Sequence, residues 1–533
     1  MRRSLVPVLR FALPFGVRFA FAFSVLAFLA SASSAQTGGL DPSFGTGGTV
    51  TTDFGARDDV GRALALLPDG RLVVAGYAEG EDGAAFALAR YTPGGALDPS
   101  FGTGGTLTLA PDSGTHRAHA LALLPDGRMV VAGLVGGGDF GVARLLPDGT
   151  PDSTFGEDGW VTTDFGGGED EAHAIVLQPD GRIVVGGSSR FGAADGFALA
   201  RYDADGSPDS TFGTDGRVTT GAASGVDRLA ALLLQPDGHL VAVGTGGTEG
   251  SLSFALVRYL PSGSLDPAFG AGGLVTTSLG PLDDAATTAV LQPDGRLVVG
   301  GYTRNREGSF FAFALARYLP DGTPDAGFGT AGVTFTPFPS GFASIYRLAL
   351  QPDGRLVAVG PARANAPEVV ALARYDTTGA LDPSFGMGGT ATVQFGRFVD
   401  TPYDLALQPD GRIVVAGSTY VGFNLGFALL RYDPDLVVAP EPAGSAQTAA
   451  ALAVHPNPVR HGATIHYVAP EAGAVRIALH DVLGREVAVI HQGALTVGTH
   501  TLALDVTALP SGHYVLRAVG AGGNTAHPVT VVR

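Results

Sequence analysis

The sequence predicts an all-β chain: a closed ring of seven four-stranded units followed by a small β-sandwich. Three observations carry this. A Phe-Gly pair recurs at Phe44, Phe101, Phe155, Phe212, Phe269, Phe328 and Phe385, with spacings of 57, 54, 57, 57, 59 and 57 residues. A Pro-Asp-Gly turn recurs at Asp69, Asp126, Asp180, Asp237, Asp294, Asp353 and Asp410 with the same six spacings. The stretches between these markers are short apolar runs bounded by Gly, Pro, Asp and Ser, as strands are. Two markers that drift together mean that the whole unit repeats.

Within one unit, Ala63 to Leu67 and Leu72 to Ala75 flank Pro68-Asp69-Gly70, where Pro presets φ and Gly allows positive φ, so the three runs form a hairpin. A third strand is predicted over Phe86 to Tyr91. A fourth, Leu107 to Leu109, follows the Leu97-Asp98-Pro99-Ser100-Phe101-Gly102 turn region. The inner runs are apolar on both alternating faces, so each sheet needs cover on both sides. Radial stacking of four-stranded sheets supplies it, which makes the ring a seven-bladed β-propeller.

The first copy of the Phe-Gly marker, with Val50-Thr51-Thr52, precedes any Pro-Asp-Gly hairpin, and no copy follows Phe427 to Tyr432. The chain is therefore offset by one strand. Residues 49 to 54 are predicted to close the ring as the outer strand of the blade built from residues 404 to 432.

Arg2, Arg3, Arg10 and Arg18, the apolar run Phe19 to Ala30 and the small residues Ser33-Ser34-Ala35 predict a signal peptide over residues 1–35 and Sec-type export; a retained membrane anchor would need a longer apolar run. The 533 residues include no Cys, which excludes thiol catalysis and Cys-ligated metal. All 33 basic residues are Arg. Residues 36–444 hold 24 Arg against 46 acids, net −22, and residues 445–533 hold 5 Arg against 4 acids, net +1. Nothing in that balance neutralises phosphates, so nucleic acid is not an expected partner.

The predicted organisation is a propeller over residues 36–436, a Pro- and Ala-rich linker over 437–451 and a second β domain over 452–533. The second domain carries Pro456-Asn457-Pro458, the turn Asp481-Val482-Leu483-Gly484-Arg485 and the strand Leu509-Pro510-Ser511-Gly512-His513-Tyr514-Val515-Leu516-Arg517.

The repeated strings Pro-Asp-Gly, Phe-Ala-Leu-Ala-Arg-Tyr and Asp-x-Ser-Phe-Gly, in fixed order over about residues 40 to 436, resemble the delta-60 repeat family, a β-propeller-like bacterial repeat. The last domain resembles the C-terminal sorting domain of the type IX secretion system, type A; Pro456, Asn457, Pro458, Asp481, Gly484, Arg485, Gly512 and Tyr514 match its motifs. That resemblance implies contact with the secretion machinery, passage across the outer membrane, and release or display at the cell surface. Cleavage of the domain often follows in that family. An ordinary Ig-like domain with no sorting role is the alternative.

No catalytic residue is expected. Asp41, Asp98, Asp152, Asp209, Asp266, Asp325 and Asp382 recur identically, and seven alike carboxylates fit turn caps paired with the equally repeated Arg90, Arg144, Arg201, Arg258, Arg317, Arg374 and Arg431. Asp203-Ala204-Asp205-Gly206 lacks the Glu that completes a Ca²⁺ loop and reads as a turn. His116 and His119 read as loop histidines without a third ligand, and no metal site or cofactor is expected. Binding is assigned to variable loops, at Arg304, Asn305, Arg306, Tyr420, Phe423 and Asn424. A monomeric binding or adhesion module for a glycan, peptide or matrix component is favoured over a propeller hydrolase or lyase, because no His/Tyr cluster or inserted pair of acids is visible. A structural spacer is a third alternative.

Overall fold

The computed structural model describes residues 36–532 apart from 56, 82, 167, 192–193, 222–226, 249, 305–310, 339–341, 364–367, 396–399, 439–450, 456–458, 470–471, 482–484 and 521–522. The predicted signal peptide, residues 1–35, and Pro456-Asn457-Pro458 and Gly484 of the sorting motif lie outside the described residues. The chain divides into two compact units, Ala35–Ala439 and Pro440–Arg533.

In the first unit, each Pro-Asp-Gly string closes a hairpin between the two inner strands of a blade. In blade 1 the strands are Asp59–Leu66, Leu72–Glu79, Ala84–Tyr91 and Thr106–Leu109, paired in that order and antiparallel. At the turn, Leu67 N–H donates to the Arg71 carbonyl at 2.8 Å, and Gly70 sits at φ +85°. A side chain is strained there, which is why the third turn residue is always Gly. Seven such sheets follow one another through residues 36–438.

Closure runs as the sequence predicts. Thr49–Thr52 pairs antiparallel with Asn424–Val438 as the outer strand of blade 7, whose inner strands are Thr401–Leu407 and Ile413–Val421. Gln36–Leu40 pairs further along the same strand, with Gln36 opposite Val438 and Thr37 opposite Val437. Leu72, Val74, Ala87 and Ala89 of blade 1 pack against Val414, Ala416, Phe427 and Leu429 of blade 7, so the first and last blades share one apolar core. Strands two and three are covered on both faces throughout; Val73, Val74, Phe86 and Leu88 are all fully buried. An isolated blade would expose that surface, so each depends on its neighbours for burial.

The repeated Asp and Arg meet as expected. Arg90 Nε donates to Asp98 Oδ2 at 2.8 Å, and its second terminal nitrogen donates to Ser100 Oγ at 2.8 Å. Its plane lies 4.8 Å from the centre of the Phe101 ring, and it also reaches the Pro147 carbonyl of the next blade. Arg71, from the Pro-Asp-Gly-Arg turn, bonds the same carboxylate at 2.9 Å. Asp98 also caps its turn by accepting Ser100 N–H at 3.0 Å. The Ser100 hydroxyl first, with Arg71 and Arg90, holds Asp98 below the usual carboxylate range against the opposing effect of burial. The Arg–Asp contact recurs in every blade, down to Arg431 and Asp41, which ties residue 41 to the closing blade at 2.8 Å. A second tie between blades joins Thr52 Oγ1 to Tyr91 Oη at 2.8 Å, repeated by Thr163 with Tyr202 and Thr336 with Tyr375.

The second unit holds two antiparallel sheets, one of Ala451–His455, Gly462–Ala469 and Gly498–Asp505, the other of Glu486–Leu495, Gly473–Asp481, Gly512–Gly520 and Gly523–Val531. Their inner faces share one core, with Ile465, Tyr467 and Leu504 from the first sheet and Ile477, Leu479 and Leu516 from the second. Arg485 clamps its turn by donating from N–H and Nε to the Asp481 carboxylate at 2.9 and 2.8 Å. Tyr514 Oη donates to the Pro510 carbonyl at 2.9 Å, folding the Leu-Pro-Ser-Gly approach onto the Gly512–Gly520 strand.

Candidate functional site in the central channel

The first strands of all seven blades line a central cavity of about 710 Å³. Each carries one extra residue opposite a repeated glycine. In blade 1, Gly61 pairs with Gly76 and Ala63 with Ala75, which leaves Arg62 as a β-bulge. Gly76 permits the bulge: a Cβ there would stand 1.9 Å from the Val60 carbonyl oxygen. Gly133, Gly187, Gly244, Gly301, Gly360 and Gly417 meet the equivalent carbonyl at 1.8 to 2.2 Å. The final Gly of Val-Val-x-Gly therefore exists to seat a bulge, and the bulge presents its residue to the channel.

The bulge residue stands seven places before each turn Asp: Arg62, His119, His173, Ala230, Thr287, Tyr346 and Tyr403, and all seven line the cavity. Blades 4 and 5 offer small side chains. Blades 6, 7, 1, 2 and 3, consecutive around the ring, offer Tyr, Tyr, Arg, His and His. Tyr346 and Tyr403 stack with centroids 5.9 Å apart, and the Arg62 guanidinium lies 4.2 Å from the Tyr403 ring centre. The rings of His119 and His173 are 5.4 Å apart. Glu171, on the same strand as His173, stands 2.7 Å from His119 Nε2 and 3.6 Å from His173 Nε2.

Burial, with His119 close by, pushes the His173 imidazole down to about 4, so it is neutral at ordinary pH. Contact with His119 draws Glu171 down to about 2. Burial raises both tyrosines, Tyr346 with help from Tyr403. Arg62 Nε is buried without a hydrogen-bond partner, and among the described residues no carboxylate forms an ion pair with Arg62 or Arg228. Beside the arc, Asp404 is fixed by Leu64 N–H at 2.8 Å and Arg347 Nε at 2.8 Å, which makes it a strut between blades.

Two expectations need correction. His119 is not a loop histidine: it lies within the strand Arg117–Leu123, and its neighbours Glu171 and His173 come from the next blade, more than fifty residues away in sequence. A His/Tyr cluster, absent from any one stretch of the sequence, exists in the ring, distributed one residue per blade. His116 is fully buried and takes Gly136 N–H on Nδ1 at 3.2 Å; it occupies the place held in blade 1 by Asp59. There and in blades 3, 5 and 7, Asp59, Asp170, Asp284 and Asp400 cap the incoming loop through a backbone N–H five residues earlier.

The predicted loop residues lie elsewhere. Arg304 ends the strand Leu297–Arg304, 3.7 Å from Asp283 and over the Phe311 ring, while Asn305 and Arg306 fall outside the described residues. Tyr420, Phe423 and Asn424 sit at the tip of the blade 7 hairpin, where Phe423 is 98% exposed. None of the described ones lines the channel. Asp203 to Gly206 forms a turn, with Ser207 N–H on Asp205 Oδ1 at 3.0 Å. Asp139, Asp164 and Asp170 bring carboxylate oxygens within 4.8 Å of one another where blades 2 and 3 adjoin; burial first, then the other two charges, raises Asp139.

One repeat position, seven before the turn Asp and facing a glycine seven after it, varies along the chain as Arg, His, His, Ala, Thr, Tyr and Tyr.

The family model described as a domain of unknown function (DUF5122) β-propeller matches residues 67–101, 124–155, 178–212, 235–269, 292–328, 351–385 and 408–438. A secretion system C-terminal sorting domain matches residues 453–531. No curated protein matches the chain in sequence. Similar solved structures include the polysaccharide lyase Uly1, at 12% identity over 70% of this chain and 90% of that one, with a TM-score of 0.38. Drosophila Semaphorin 2a aligns at 8% identity over 90% and 98%, with a TM-score of 0.43. The β-propeller domain of the Trilobed protease from Pyrococcus furiosus aligns at 9% over 70% and 93%, with a TM-score of 0.37. With one match in each of seven successive blades and the last domain covered from 453 to 531, the chain carries seven DUF5122 β-propeller repeats and ends in a secretion system C-terminal sorting domain.

Proposed function

We propose that this protein is exported by its signal peptide and sorting domain and acts outside the cell as a binding module, taking an acidic glycan, one bearing carboxylate or sulfate groups, in its central channel. The observation that carries the reading is the arc Tyr346, Tyr403, Arg62, His119 and His173. Stacked phenol rings offer flat apolar faces to sugar rings, and an Arg that forms no ion pair among the described residues offers charge-assisted hydrogen bonds to an anion. Every member stands on a strand bulge, so little ordering accompanies binding. Arg304, Tyr420, Phe423 and Asn424 are read as a rim that extends the contact.

Binding of the mature chain to acidic and neutral polysaccharides, measured by calorimetry, tests this. Uronate- or sulfate-bearing chains are expected to bind and neutral ones not to. Equal binding of both would overturn the reading, as would acidic binding that survives Arg62→Gln.

A second reading, elimination from a uronate, is favoured by one observation: the arc gathers His119, His173, Tyr346 and Tyr403, side chains that can accept or donate a proton, into one cavity with Arg62. Accumulation of an unsaturated, ultraviolet-absorbing product from an acidic polysaccharide, abolished in His173→Ala, would select it over binding alone.

A further inference from the structure

We propose that His119, Glu171 and His173 form a divalent transition-metal site in the channel wall, suited to Zn²⁺. The proposal stands whether or not the channel takes an acidic glycan. One ligand atom from each residue lies within 4.8 Å of the other two. Glu171 turns one carboxylate oxygen to each imidazole, at 2.7 Å from His119 Nε2 and 3.6 Å from His173 Nε2. Ligands around a tetrahedral centre with bonds of about 2.1 Å stand roughly 3.4 Å apart, so side-chain adjustments of up to about 1.4 Å would seat the ion.

Two imidazoles and one carboxylate are a donor set that zinc and non-haem iron accept, and with no Cys in the chain no softer set competes. The three residues come from the inner strands of two adjacent blades, one at the bulge of blade 2 and two on the strand Asp170–Leu177, so the backbone holds them without a flexible loop. His119 and His173 line the cavity, so an ion held by them would be open to it. Arg62 and Arg228 act on this cluster electrostatically, which weakens a bare cation and favours an anion or hydroxide as the fourth ligand. A metal-free His–Glu–His ion pair is the competing account, and the experiment separates the two.

The secreted chain, stripped with chelator, is titrated with Zn²⁺ and Co²⁺ by calorimetry and visible absorption. One equivalent is expected to bind above the weak background of the eight histidines from His455 onward, with a four- or five-coordinate Co²⁺ spectrum. His119→Ala and His173→Ala should each weaken it more than about 100-fold, beyond the 10- to 100-fold that outer-shell partners carry. Glu171→Gln, which keeps the volume, should also weaken it. Binding in His119→Ala and His173→Ala that equals the wild type overturns the site, as does a wild type with background binding only. Should the alanine variants not fold, X-ray absorption of the zinc-loaded wild type decides: two imidazoles with oxygen support the site, and an oxygen-only or single-imidazole shell overturns it.

Discussion

The Arg–Asp clamps and the bulge ring are both seven-fold, yet they obey opposite rules. At the clamp every blade supplies the same Arg, the same Asp and the same Phe beneath the guanidinium, with the Nε or terminal-nitrogen contact at 2.7 to 2.8 Å throughout. At the bulge the backbone and its facing glycine are equally uniform, but the side chains are Arg, two His, Ala, Thr and two Tyr. Identical chemistry at equivalent sites solves a problem every blade shares, the joining of one sheet to the next. Different chemistry on an identical backbone builds one asymmetric surface out of a symmetric frame.

The comparison breaks most severely if closure is removed. Deleting residues 36–56 takes away the outer strand of blade 7, the fully buried Phe44, and Asp41, the carboxylate that Arg431 needs. An emptied aromatic site and an unpaired buried guanidinium each cost about 3–5 kcal/mol, so a loss well above about 5 kcal/mol is expected. Thermal unfolding followed by circular dichroism should show a sharply lower midpoint; a superimposable curve would remove the closing role.

A single clamp comes next. Asp209→Ala leaves Arg201, 5% exposed, with a buried charge facing no carboxylate, and about 3–5 kcal/mol is the expected loss in denaturant unfolding. Replacing Arg201 and Asp209 together should cost clearly less than the two single changes summed. Strict additivity would mean that the pair does not interact directly.

Smaller still is a pH effect carried by a capping acid. Burial, with Asp53 and Asp58 close by, raises the Asp59 carboxyl from 3.8 to about 7. Between those values the folded chain holds a proton that the unfolded chain has released, so stability falls as pH rises through that window and levels off above it. The clamp carboxylates work in the opposite sense: Asp98 is depressed in the folded state, and its contribution is lost only as pH falls below the ordinary carboxylate range. Asp59→Asn should therefore flatten the decline between about pH 4 and 7, an effect of at most a few kcal/mol, and leave acid unfolding unchanged. Unfolding free energies at several pH values check it; an unaltered slope would place the proton elsewhere.

How much of this was legible in the sequence follows the same division. Blade count, hairpins and the Arg–Asp pairing could be read because each is written seven times, and repetition separates signal from noise; closure, expected over residues 49 to 54 and found at Thr49–Thr52, followed from the offset of the first copy. The arc could not be read the same way. Arg62, His119, His173, Tyr346 and Tyr403 are each single residues among apolar neighbours, separated by one repeat or, between His173 and Tyr346, by three, and only ring geometry brings them together. In the linear sequence it is the polar and aromatic residues of the variable loops that stand out, together with His116 and His119 as a near pair. Their proximity in sequence was misleading, since one is a buried cap and the other faces the channel with partners from the next blade.

The smallest expected effect sharpens the contrast between rim and channel. Phe423 is 98% exposed at a hairpin tip, so Phe423→Ser should change stability by no more than about 0.5 kcal/mol. Arg62→Gln should also leave the fold nearly intact, because Arg62 makes one cation–π contact and no ion pair among the described residues. Their effects on binding should differ. Loss of one hydrogen bond from a charged donor, about 1.5–3 kcal/mol, lowers the affinity of Arg62→Gln for an acidic glycan about 10- to 100-fold, while Phe423→Ser holds within about two-fold. The opposite ranking, measured by calorimetry on both variants, would move the ligand from the channel to the blade 7 hairpin and restore the loops as the binding surface.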